Sequence, residues 1–102
     1  MSREITSRAG TVVVVLDGDT DAGCQLARRL LAEGCRVAVI GLHAAGLVRV
    51  THGHRAERAL AIAGDVADHR QWTQIVQRVT ERFGGVDTIV RPQAAAAVRA
   101  VA

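Results

Sequence analysis

The stretch from Thr11 to Leu31 narrows the possible architectures more than any other part of the chain. It runs T-V-V-V-V-L, then D-G-D-T-D-A-G, then C-Q-L-A-R-R-L-L. The opening run is apolar and β-branched with no alternation, the pattern of a strand buried on both faces of a parallel sheet. A tight turn containing glycine follows. Leu26, Ala27, Leu30 and Leu31 then recur at the spacing of one helical face. Strand, turn and helix in that order make the first half of a βαβ unit.

The rest of the chain repeats this alternation. Residues 1–10 read as a flexible lead-in and 11–102 as a single domain. Thr11–Leu16 is the first strand, Asp17–Ala22 the turn and Gly23–Glu33 the first helix, closed by Gly34. Arg36–Ile40 is a second buried strand. In His43–Arg58, Ala44, Leu47, Val48 and Thr51 have helical spacing. Gly46 and Gly53 each cost about 1 kcal/mol relative to Ala inside a helix, so a short or frayed helix and a polar loop are expected. Ala59–Ala63 is the third strand. Asp68 and Gln71 form a capping-box pattern, and Trp72, Ile75, Val76, Val79 and Phe83 make one apolar stripe. Gly84 and Gly85 stop that helix, Val86–Val90 is a fourth strand ended by Pro92, and the Ala-rich tail Gln93–Ala102 is able to start another helix. The expected fold is α/β: a three-layer half-Rossmann domain, its parallel sheet in the order 3-2-1-4, with helices on both faces.

Composition removes several classes of function. Apolar residues make up 49% of the chain but aromatics only 2%, so Val, Ala, Leu and Ile must build the core. The longest apolar run is far below the roughly 20 residues of a membrane helix. The first ten residues lack the apolar segment of a signal peptide, so a cytoplasmic protein without membrane contact is expected. The net charge is +3 and all 13 basic residues are Arg. They are dispersed, with no aromatic interleaving, which argues against nucleic-acid binding. Cys24 and Cys35 are too few for a disulfide framework and read as small packing residues in a reducing compartment. D-G-D-T-D-A-G is similar to a calcium loop, but Ala22 and Arg28 stand where that loop needs Gly and Glu. Asp17 and Asp19 leave a looser Mg²⁺ site open. His52 and His54 lie in a Gly-containing loop with no evident third ligand.

Three segments, R-L-L-A-E-G-C-R-V-A-V-I, G-D-V-A-D and V-T-E-R-F-G-G-V-D-T-I-V, follow one another in the order and spacing of the short-chain dehydrogenase/reductases. The chain resembles the N-terminal, cofactor-binding half of that family over about residues 11–94. In the family the first turn reads T-G-x-x-x-G-x-G, and its glycines let the backbone approach a pyrophosphate at a helix N-terminus. Here Gly18 and Gly23 fit the outer glycines of G-x-G-x-x-G, with Thr20 in the middle place. Asp17, Asp19 and Asp21 set three carboxylates beside that diphosphate, and each close pair costs about 1 kcal/mol at 4 Å in bulk water. Asp19 or Asp21 also suits the cap of the first helix. At the end of the second strand, NAD-binding members carry an acidic residue. This chain has Gly41-Leu42, and Gly41 resembles the NADP-preferring pattern. The resemblance therefore implies NADP or NAD, leaning to NADP. Asp65 and Val66 match the D-V whose Asp contacts the adenine amine. Arg91, Pro92, Gln93 and Ala94 replace the N-N-A-G that ends the fourth strand.

The family's catalytic Ser and Y-x-x-x-K pair would lie beyond residue 102. The chain contains no Tyr and no Lys, so no catalytic residue is assigned. The expectation is an NAD(P)-binding domain of this oxidoreductase family, truncated before the Tyr/Lys pair and not catalytic alone. The alternatives are a non-catalytic oligomeric scaffold or regulatory protein that binds no cofactor, and a receiver-like signalling domain using Asp17, Asp19 and Asp65. An uncovered fourth strand invites pairing, which predicts a homo-oligomer through Val86–Val90 or the C-terminal helix.

Overall fold

The four valines of β1 (Val12–Val15) are all buried, as their unbroken apolar run requires. The computed structural model describes residues 10–92; most of the expected lead-in, and the tail at 93–102, lie outside them. β1 is followed by α1 (Asp21–Ala32), β2 (Arg36–Gly41), α2 (Ala44–Thr51), β3 (Ala59–Ala63), α3 (His69–Phe83) and β4 (Thr88–Val90). The strands form one parallel sheet in the order β3-β2-β1-β4, as expected. Val13 lies opposite Val37 on one side and Thr88 on the other.

The period of two along each strand divides the core. Val13, Val15, Val37 and Val39 pack against Ala27, Leu30 and Leu31 of α1 and Leu47 and Val50 of α2. Val12, Val14, Ala38, Ile40 and Ile62 face Ile75, Val79 and Phe83 of α3. Each fully buried Val, Leu or Ile stabilises the fold by about 1.5–3 kcal/mol relative to exposure. Trp72 packs against the α3 side of the core, as its place in the stripe predicts.

The elements differ from expectation mainly at their ends. α1 begins two residues early because Thr20, rather than Asp19 or Asp21, is its N-cap, accepting from the Gly23 N–H at 3.1 Å. Its C-terminal turn closes through Gly34 at φ +98°, a left-handed conformation suited to glycine. α2 has eight residues and no side-chain cap at His43, which accounts for its shortness. At α3, Asp68 Oδ1 accepts from the N–H groups of Arg70 and Gln71. Only half of the capping box forms, because Gln71 Oε1 accepts instead from the Asp65 N–H at 2.8 Å. β4 is shorter than Val86–Val90. Val86 packs against the core on the α3 side. Asp87 ties back to β1, its N–H donating to Val12 O and its Oδ2 accepting the Val12 N–H.

Cys24 and Cys35 are buried thiols. Burial pushes the Cys35 thiol up, Glu33 adds to this and Arg58 opposes it. Among the described residues no helix is long and apolar enough to cross a membrane.

Candidate functional site

In a parallel sheet every strand ends on the same side, so the following loops converge there. Open α/β sheets bind ligands at that edge, where successive crossovers depart in opposite directions. Here a cleft of about 380 Å³ lies at the edge, and Asp17, Asp19, Thr20, Gly41, Asp65, Val66 and Arg91 are among its lining residues. Thr20, Gly41, Asp65 and Val66 thus meet, as a single ligand site requires. Gly18 and Gly23 belong to the same turn but do not line the cleft.

The reason lies in the path of the β1–α1 turn. Asp17 has φ +56° and is the only non-glycine residue with positive φ among the described residues. Gly18 donates its N–H to Ile40 O at 2.9 Å and packs onto β2. A Cβ on Gly18 would come 2.8 Å from Val39 Cβ. The left-handed residue of this turn is therefore Asp17, one position before Gly18. Asp17 and Gly23 have the outer spacing of T-G-x-x-x-G-x-G, which puts Asp21, not Thr20, in the middle place. Thr20 instead braces the turn, donating through Oγ1 to Asp17 O at 2.6 Å while it caps α1. Gly23 permits close approach of helix and turn: a Cβ there would lie 2.0 Å from Asp17 O. The N–H groups of Asp21 and Ala22, in the first turn of α1, donate to no atom of the described residues. Two main-chain donors therefore remain at the positive end of the helix dipole.

The three carboxylates of this turn diverge. Asp21 pairs with Arg49 at 2.9 Å and Asp17 faces Arg91 at 3.7 Å. Asp19 Oδ2 accepts the His43 N–H at 3.0 Å. Two of the three therefore have a guanidinium partner, which lessens the repulsion foreseen for an anion. Asp17 and Asp19 thus take separate partners, one from the end of β4 and one from the start of α2. Among the described residues no group of three or more His, Cys, Asp or Glu gathers to hold a metal, and His52 and His54 are no exception.

Across the cleft, the β3–α3 turn is held by side chains. Asp65 Oδ1 accepts the Ala67 N–H at 2.9 Å, and Gln71 anchors the Asp65 N–H. Val66 rests on the α3-side core. Arg91, just after β4, lines the same cleft and is a further functional candidate. Its signal was a cation in place of the family's Asn.

The family model for short chain dehydrogenases matches residues 11–100. The chain is 33% identical over 81 residues to the cis-2,3-dihydrobiphenyl-2,3-diol dehydrogenase of Paraburkholderia xenovorans (strain LB400), covering 79% of this chain and 29% of that protein. It is 34% identical over 82 residues to the 2-(R)-hydroxypropyl-CoM dehydrogenase of Xanthobacter autotrophicus (strain ATCC BAA-1158 / Py2), covering 78% and 33%. The crystal structure of a 3-ketoacyl-(acyl-carrier-protein) reductase from Brucella melitensis, complexed with NADH, superposes with a TM-score of 0.74 at 26% identity, covering 79% of this chain and 33% of that one. The chain thus spans about a third of the length of these three proteins. Sheet order, turn placement and sequence agree, and the chain belongs to the short-chain dehydrogenase family.

Proposed function

We propose that this segment is the NAD(P)-binding half of a short-chain dehydrogenase/reductase-type oxidoreductase. The carrying observation is the pair of unpartnered N–H groups, Asp21 and Ala22, at the start of α1, directly after Thr20, which lines the cleft. Those donors and the helix dipole suit a diphosphate. Asp65 and Val66, lining the same cleft, suit the adenine end. When bound, a nicotinamide dinucleotide supplies the hydride chemistry. The chain's own residues bind and orient it, since no Tyr or Lys is present to serve as the family's acid–base pair. The segment therefore binds without turning over on its own. Calorimetric titration with NAD⁺ and NADP⁺ tests this: micromolar affinity for either is expected. No heat at millimolar concentrations of both would overturn it and favour a scaffold that binds no dinucleotide.

We further propose that a second copy covers β4, one of the two edge strands among the described residues, where Ile89 is 47% exposed. Sedimentation equilibrium should show dimer at high concentration and its loss in Ile89→Glu. Monomer throughout would end this proposal.

A further inference from the structure

We propose that Asp19 is the residue that reads the adenosine ribose in this cleft, and that it selects NAD(H) over NADP(H). This rests on the dinucleotide reading above and names the selectivity of that same site.

Two glycines bracket Asp19. A Cβ on Gly41, the last residue of β2, would lie 2.6 Å from both Cγ and Oδ1 of Asp19. A Cβ on Gly46, in α2, would lie 2.9 Å from Asp19 Cβ and 3.1 Å from Asp19 O. The space that a side chain at the end of β2 would occupy is filled by a carboxylate from the β1–α1 turn. The bond from the His43 N–H to Oδ2 holds it there. Oδ1 has no hydrogen-bond partner among the described residues. Gly46, costly inside a short helix, thus has a structural reason: it lets α2 close over Asp19.

A carboxylate at the end of β2 accepts a hydrogen bond from a ribose 2′-hydroxyl and opposes a 2′-phosphate. Asp19 brings that chemistry to the same place from another loop. The surrounding charges agree. Leu42, exposed, stands where a cation for the phosphate would follow Gly41. Arg49 lies near, 3.5 Å from Asp19 O, but its guanidinium is turned to Asp21 at 2.9 Å. The geometry therefore reverses the lean to NADP that Gly41 carried in the sequence.

The test is titration of the purified chain with NAD⁺ and NADP⁺ at pH 8. NAD⁺ should bind at least about tenfold tighter, and Asp19→Asn, which keeps an oxygen for the His43 N–H, should erase most of that ratio. A paired exchange guards against misfolding. Gly41→Asp alone overlaps Asp19, whereas Asp19→Ala with Gly41→Asp returns a carboxylate to the site and should restore the preference for NAD⁺. Equal affinities in the wild type overturn the assignment of Asp19. So does an unchanged ratio in Asp19→Asn, or NADP⁺ binding that depends on Arg49 in an Arg49→Gln variant. Failure of both dinucleotides to bind at millimolar concentration overturns the cofactor reading itself, and this inference with it.

Discussion

The two strand-to-helix turns that border the cleft are built in opposite ways. The β1–α1 turn is shaped by backbone against backbone: Gly23 presses on Asp17 O, Gly18 on β2, and Asp17 takes a left-handed conformation. The β3–α3 turn is shaped by side chains bonding to exposed main chain: Asp65 to Ala67, Asp68 to Arg70 and Gln71, and Gln71 to Asp65. The first tolerates no added atom at its contact points. The second loses one solvent-replaceable bond at a time. The same contrast extends to charge. Carboxylates of the first turn oppose a diphosphate, whereas Asp65 in the second suits a base amine.

The largest expected effect is at Gly23. Gly23→Ala drives a methyl into Asp17 O and should lower stability by about 3 kcal/mol or more in chemical denaturation. A loss below 1 kcal/mol would mean that the turn yields as readily as its counterpart. Next comes binding. Asp17→Gly removes an anion and supplies the residue suited to φ +56°, and should tighten dinucleotide binding about tenfold by calorimetry. Asp65→Ala should weaken it by a similar factor. Changes of the same sign would erase the charge contrast between the turns. The two helix caps should cost alike: Thr20→Ala and Asp68→Ala each lose about 1 kcal/mol in thermal or urea unfolding. Smallest is Gln71→Ala, which frees one exposed N–H at Asp65 and should cost no more than about 0.5 kcal/mol. A larger loss would show the second turn to be as rigid as the first.

The fold was open to reading because its signals are local and repeated. Four valines in a row, R-V-A-V-I and A-L-A-I-A suit strands covered on both faces, and the stripe from Trp72 to Phe83 suits only a helix. The helices come out at these places, and β4 shortens because Asp87 turns back to Val12. The site was less legible. Thr20, Gly41, Asp65 and Val66 do line one cleft. That the left-handed residue of the first turn is Asp17 was not legible, because an Asp in the left-handed region looks like any other Asp in a sequence. Nor could the partners of three neighbouring carboxylates be told apart from spacing, since Arg49 and Arg91 arrive from distant parts of the chain.

Residue order alone settles the alternation of strand and helix, because hydrophobic period is written in consecutive residues. It also settles the absence of Tyr and Lys. Folding in three dimensions settles which atoms share space at the sheet edge. Asp19 and Gly41 are 22 positions apart in the chain, yet the carboxylate of one fills the side-chain space of the other. Close packing between loops from different strands depends on the absolute placement of each strand end, and no local pattern encodes that distance.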